Sequence, residues 1–163
     1  LLYGMCDSLQ PAVGYNWGAG KYSRVRAVEK CCFTASGIVS LLAVCVIALL
    51  PEQITRLFVA DAGPEILSMS VGALRLFSIT YVTRWFSFAT QSYMLAVEKP
   101  LPASVISVST ALIFPVLLIV VLWPLGLTGI WLNFAGTAVL AAVLSVIVLL
   151  RVRGELVRAD TES

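Results

Sequence analysis

Five long apolar runs constrain this chain more than any other feature. They cover approximately residues 1–19, 31–50, 70–96, 101–123 and 129–150. A hydrocarbon core about 30 Å thick needs about 20 apolar residues of helix to cross it, and each run reaches or approaches that length. The runs are too long and too continuously apolar for the two-residue alternation of a membrane barrel. The sequence therefore predicts an all-α fold, a polytopic transmembrane helix bundle of about five helices within residues 1–150. A short polar tail follows at 151–163. Composition agrees, because only 12% of the residues are charged, against about 25% in soluble domains.

Punctuation and charge order these runs. Pro51, Gly63-Pro64, Lys99-Pro100 and Trp123-Pro124 separate them, and Trp17, Trp123 and Trp131 fall near their ends, where amphipathic rings settle. Lys21, Arg24, Arg26, Lys30, Lys99, Arg151, Arg153 and Arg158 occupy alternate connections, against Arg56 alone on the others. The positive-inside rule then places the 20–30 loop, the 97–100 turn and the C-terminus in the cytoplasm. The expectation is a multi-pass protein of the plasma or inner membrane, with the lipid bilayer as a partner. A net charge of +2 gives no basis for a nucleic-acid partner.

Several function classes drop out. The chain has no His, which removes imidazole relays, imidazole metal ligands and Ser-His chemistry from these residues. Cys6, Cys31, Cys32 and Cys45 lack C-x-x-C spacing and read as buried free thiols. No phosphate-cradling glycine loop, metal spacing or nucleophile-base pair is present, so neither an enzyme nor a bound cofactor is expected. The apolar opening without Met or a cleavage site reads as a piece that starts inside a helix.

Polar groups inside the runs are the candidate functional residues. If the first run meets the interface near Gly20, Pro11 lies roughly 13 Å into the membrane and Asp7 about 20 Å. Pro11 frees the carbonyl of Asp7, four residues back, so "DSLQP" reads as a broken, polar midplane patch. Gly4, Asp7, Pro11, Gly14 and Gly18 share one face, open to close approach by another helix. An ionisable group at that depth is a functional hypothesis; the alternative places Asp7 nearer the outer interface.

Arg75 sits near the outer end and is expected to snorkel. Arg84 is deeper and must face a cavity, freed carbonyls or an acid such as Asp7. Gln91 either lines a cavity or bonds across helices. Ser104, Ser107 and Ala111 suggest a packing face, and Pro115 a kink unless neighbours compensate. Gly129, Asn133 and Gly136 share a face on which Asn133 reads as interhelical glue before it reads as a ligand group. The candidate substrate- or cation-binding residues are thus Asp7, Gln10, Pro11, Asn16, Arg84, Gln91 and Asn133.

Residues 10–25, "QPAVGYNWGAGKYSRV", resemble the Q-P-x-x-G-Y-N-[YW]-G-A-x-x-Y-x-R-V pattern of the multidrug and toxic compound extrusion (MATE) family. Gln10, Pro11, Gly14, Tyr15, Asn16, Trp17, Gly18, Ala19, Tyr22, Arg24 and Val25 carry the match. "LFVAD" at 57–61 is similar to that family's L-F-x-x-D, and "LGLTGIWLN" at 125–133 to its F-G-x-x-G-[VI]-W turn.

The resemblance implies the eighth to twelfth helices of a twelve-helix, two-lobed antiporter whose N-terminal lobe lies outside this chain. It also implies export of cationic or amphipathic drugs or metabolites in exchange for H+ or Na+. On that alignment "GYNWGAGKY" is a helix end and turn. Departures are specific. "SVSTALIFP" lacks a basic residue, "NFAGTAV" lacks an acid, and 70–96 offers Arg84 and Gln91 where some members carry an acid. The coupling carboxylate then lies in the other lobe, or Asp7 contributes. A flippase for lipid-linked precursors in the same superfamily would need a larger basic lining. A non-transporting scaffold would need no polar midplane.

Overall fold

In the computed structural model residues 2–58 and 63–162 are described, with side chains over 3–58 and 63–153. The elements are α1 (Leu2–Gly18), α2 (Tyr22–Leu49), α3 (Pro51–Phe58), α4 (Pro64–Ala96) and α5 (Pro100–Val108). A π-helical turn (Ser109–Ile113) leads into α6 (Phe114–Leu122), and a 3-10 turn (Trp123–Leu125) into α7 (Gly126–Glu162). No strand occurs among the described residues.

Three helical stretches are long and apolar enough to cross a bilayer: Tyr22–Leu49, Pro64–Ala96 and Pro100–Arg153. The last makes two passes. The chain reverses at 123–126, and α7 packs back along α6, with Asn133 reaching Pro115 and Gly136 facing Leu118. With α1, 17 residues and about 26 Å long, the chain passes back and forth five times. The fold is an all-α membrane bundle.

Helix ends differ from the apolar runs, for one physical reason. Hydropathy marks hydrocarbon, while a helix continues wherever its backbone bonds can close. Residues 22–30 contain no Gly or Pro and several good helix formers. Accordingly α2 starts at Tyr22, and Arg24, Arg26, Glu29 and Lys30 are helical instead of lying in a loop. The third helical span begins not at residue 70 but at Pro64, the first position of α4, where a missing N–H costs nothing. The backbone of α7 stays helical through Glu162, so the polar tail continues the last span. Arg158 in that tail and Asp61 of "LFVAD" lie outside the described side chains.

The connection 51–65 also holds a helix that hydropathy missed. In α3, Glu52 in the first turn and Arg56 in the last complement the helix dipole. Pro51 and Thr55 are buried, whereas Leu57 and Phe58 are exposed.

Helix α4 is the hub, touching α1, α2, α3, α5 and α7. It runs antiparallel to α2, with Phe33 edge-on to Phe86 and Ser40 donating to the Tyr81 carbonyl. It runs parallel to α7, whose stripe Ala135, Ala138, Ala141 and Ser145 is buried; small side chains there allow close helix approach. Leu9, Val13, Val25, Tyr93, Met94, Leu149 and Val152 form the apolar cluster at the basic end of the bundle.

Three packing expectations change. On α5 the buried side chains are Ala103 and Ile106, followed by Ser109, while Ser104, Ser107 and Ala111 look outward. Small residues occupy both sides of that stretch, and Ile106 fills the inner one. Pro115 is accommodated by the π-helical turn, in which the Phe114 N–H bonds the Ser109 carbonyl five residues back. The four cysteines are free, but Cys31 and Cys45 are exposed and Cys6 alone is buried. In lipid an apolar thiol gains little by turning inward. Much of the outer surface is aliphatic, including Leu41, Leu42, Val46, Val120 and Val121.

Candidate functional site

Helix α1 has two unlike faces. Cys6, Leu9 and Val13 are buried against the bundle, and Cys32 Sγ, on α2, donates to the Met5 carbonyl at 3.6 Å. Gly4, Asp7, Ser8, Pro11, Ala12, Tyr15 and Gly18 are exposed. Their three- and four-residue spacing makes one continuous face. A Cβ on Gly4 or Gly18 would meet nothing within 4 Å, and only Gly14, 3.7 Å from the Ala96 carbonyl, borders a neighbour. Gly4 and Gly18 of this face therefore pack against no described residue of another helix.

The expected break at Pro11 does not occur, and α1 is continuous from Leu2 to Gly18. Pro11 lies on the exposed side, away from α2 and α4. A proline there costs one backbone bond and crowds one carbonyl, while packing of the opposite face holds the rest of the helix.

Two ring contacts set the register of α1 against α4. The Tyr3 and Phe88 centroids are 4.3 Å apart, and Arg84 Cζ lies 5.4 Å over the Phe88 ring. With Gly14 beside Ala96, the helices run parallel and Asp7 falls level with Gln91. Gln10 and Gln91 are half-buried and follow Asp7 and Phe88 by one turn. The structure thus brings Asp7, Gln10, Pro11, Arg84 and Gln91 to one open flank, together with Tyr3 and Phe88. The expected pair between Arg84 and Asp7 does not form. Arg84 stands about 10 Å farther along the axis, and no described carboxylate is bridged to it.

The other candidates lie elsewhere. Asn16 Nδ2 donates to the Ala12 carbonyl of its own helix at 2.8 Å. Asn133 is buried between α6 and α7, where Nδ2 donates to the Pro115 carbonyl (3.3 Å) and Oδ1 accepts from Thr137 (3.1 Å). A Cβ on Gly129 would collide with the Leu122 carbonyl oxygen, and one on Gly136 would come 2.9 Å from Leu118 Cδ1. That face holds the hairpin together, and Asn133 is buried within it.

The remaining motif residues build a helix end. The Lys21 N–H bonds the Asn16 carbonyl at 2.9 Å and the Gly20 N–H the Trp17 carbonyl at 2.9 Å, with Gly20 at φ +67°. This is the Schellman arrangement, which needs a left-handed residue at its end. Trp17 then meets Tyr22 edge-on at 5.2 Å across the turn. Tyr15 stays exposed, and Gly18 and Ala19 complete the last turn. This stretch forms the joint between α1 and α2, while Tyr15 and Gly18 continue the exposed face of α1.

One charged contact escaped the sequence reading. Glu29, 2% exposed, pairs with Arg153 of α7 across the basic end of the bundle. Its signal is positional: Val25, Glu29, Ser36 and Ser40 form one buried stripe on α2, visible only once the helix is known to start at Tyr22. Among the described residues no group of three or more His, Cys, Asp or Glu side chains could hold a metal ion.

Comparison with known proteins adds one match. The MatE family model matches residues 1–121, which takes in the whole flank from Tyr3 to Gln91 and stops short of Asn133. No curated protein and no solved structure matches the chain.

Proposed function

The chain belongs to the MatE family, a family of membrane transporters, and from that premise we propose that it works in secondary active efflux of cationic or amphipathic small molecules. The observation that carries the reading is the exposed polar face of α1. Asp7, Ser8, Gln10 and Pro11 interrupt an otherwise aliphatic surface, beside Phe88 and Gln91 of α4. A second lobe facing this flank would enclose a cavity, and the bundle would rock against it to open alternately to each side. Discontinuities and polar groups at the interface between repeats are where transporters bind their substrates.

Each residue has a role in that cavity. Asp7 attracts the cation or carries the coupling ion, H+ or Na+. The exposed Tyr3 ring offers a face to an amphipathic cation, and Gln10 and Gln91 supply neutral hydrogen bonds. Arg84, held over Phe88, marks the far end of the flank and repels cations from it. A flippase for anionic precursors would need more cations here than Arg84. The basic end, carrying Lys21, Arg24, Lys99 and Arg151, faces the cytoplasm of a plasma or inner membrane.

The test is Asp7→Asn in the full-length protein, in inverted vesicles with an imposed proton or sodium gradient. Gradient-driven uptake of a fluorescent cationic dye is expected to fall at least tenfold, with the protein still inserted. Uptake at the wild-type rate would refute the role given to Asp7.

A further inference from the structure

A groove of about 610 Å³ lies at the basic end of the bundle, away from the α1 flank, between the α4–α5 turn and α7. Glu98, Lys99 and Arg151 stand at its mouth, and Pro102, Val105 and Val148 line it farther in. From Lys99 to Val105 the groove follows α5 for about 9 Å. Leu101 and Val105 are exposed on its outer wall, so it opens sideways, toward the hydrocarbon.

Chemistry changes along its length in the same order as a phospholipid's. Among the described residues Lys99 and Arg151 stand beside Glu98 at the mouth, at the level where the spans end and headgroups lie. The inner part is aliphatic, at the level of the first acyl carbons. The two arginines of the last span divide the work. Arg153 is committed inward to Glu29. Arg151, two residues earlier and on the other side of α7, is exposed and makes no ion pair with a described residue. A basic groove between helices at a membrane face suits an anionic headgroup.

We propose that this groove binds one anionic phospholipid of the surrounding leaflet. Arg151 takes the phosphate, with Lys99 beside it at the mouth, and the acyl chains run along Val105 and Val148. The site is separate from the transport flank and does not depend on what the protein exports.

Native mass spectrometry of the detergent-purified full-length protein tests this, by titration with palmitoyl-oleoyl phosphatidylglycerol or phosphatidylcholine. One phosphatidylglycerol is expected to bind roughly tenfold more tightly than phosphatidylcholine. Arg151→Gln is expected to weaken it about fivefold without changing phosphatidylcholine. Val105→Trp, at an exposed position that tolerates the larger ring, fills the groove and is expected to weaken both. Arg75→Gln, on α4 and outside the groove, is expected to change neither. Equal affinity for the two lipids, or wild-type phosphatidylglycerol binding by both groove variants, would overturn the proposal. So would displacement of the lipid by millimolar glycerol phosphate, which would assign the mouth to a soluble anion.

Discussion

Gly20 and Glu98 occupy the same backbone position in two helix ends of one geometry. At the end of α4 the Lys99 N–H bonds the Met94 carbonyl (2.9 Å) and the Glu98 N–H the Leu95 carbonyl (3.2 Å), repeating the pattern at the end of α1. Both residues are left-handed, Gly20 at φ +67° and Glu98 at φ +59°. Glycine adopts that conformation freely, whereas a side chain costs about 1–2 kcal/mol. Substitution should therefore act with opposite sign at the two sites. Gly20→Ala is expected to destabilise by about 1 kcal/mol and Glu98→Gly to stabilise by a similar amount. In a thermal melt of detergent-solubilised protein these are shifts of roughly 2–4 °C down and up. Shifts of the same sign would mean that the two turns do not share a geometry. The first turn was legible in "GYNWGAGK" because glycine advertises a left-handed end. The second was hidden by glutamate, which advertises nothing of the kind.

Between elements, the tie that most needs explaining is Glu29 with Arg153, which joins the start of α2 to the end of α7. Glu29 is almost wholly buried while Arg153 is 47% exposed, so the two partners are not equivalent. Removing the arginine strands a buried carboxylate. Removing the carboxylate's charge leaves an arginine that water can still solvate. Breaking a fully buried pair costs about 3–5 kcal/mol, and solvent access at Arg153 lowers this to about 2 for Arg153→Ala. Glu29→Gln is expected to cost less than half of that. The double variant should be no worse than Arg153→Ala alone, since the charge it strands is then gone. Melting curves of the three variants check the order, and an additive double variant would deny the coupling. The pair also marks where sequence reading stops. The spans themselves were legible, because hydrocarbon demands long apolar helices. Glu29 was not, because hydropathy starts α2 at residue 31 and consigns every charge before it to a loop. Helix α3 was missed for a related reason: eight residues with one buried stripe carry too little apolar length to register.

At the scale of the molecule the outer surface is of two kinds, and the difference is a prediction. Around α2, Leu41, Leu42, Cys45 and Val46 are exposed, as lipid contact requires. Around α1 the exposed face carries Asp7, Ser8, Pro11 and Ala12. An acid facing hydrocarbon at midspan costs roughly 2.5–3.5 kcal/mol, a large fraction of a protein's net stability. That cost disappears if the face lines a water-filled cavity. The sequence disclosed which residues make this face, through their three- and four-residue spacing, but not that none of the described residues covers it. Only packing could reveal that, since Cys6, Leu9 and Val13 give α1 a complete set of contacts on its other side. A cysteine placed on each surface separates the alternatives. In a full-length protein whose natural cysteines are replaced by Ala, Ser8→Cys or Ala12→Cys is expected to react with a charged maleimide in intact membranes. Leu42→Cys, on the aliphatic face, is expected to react at least tenfold more slowly, because a thiol in hydrocarbon does not ionise and the reagent does not reach it. Equal, slow labelling of all three would place the α1 face against lipid or tightly packed protein, and would remove the cavity on which the transport reading depends.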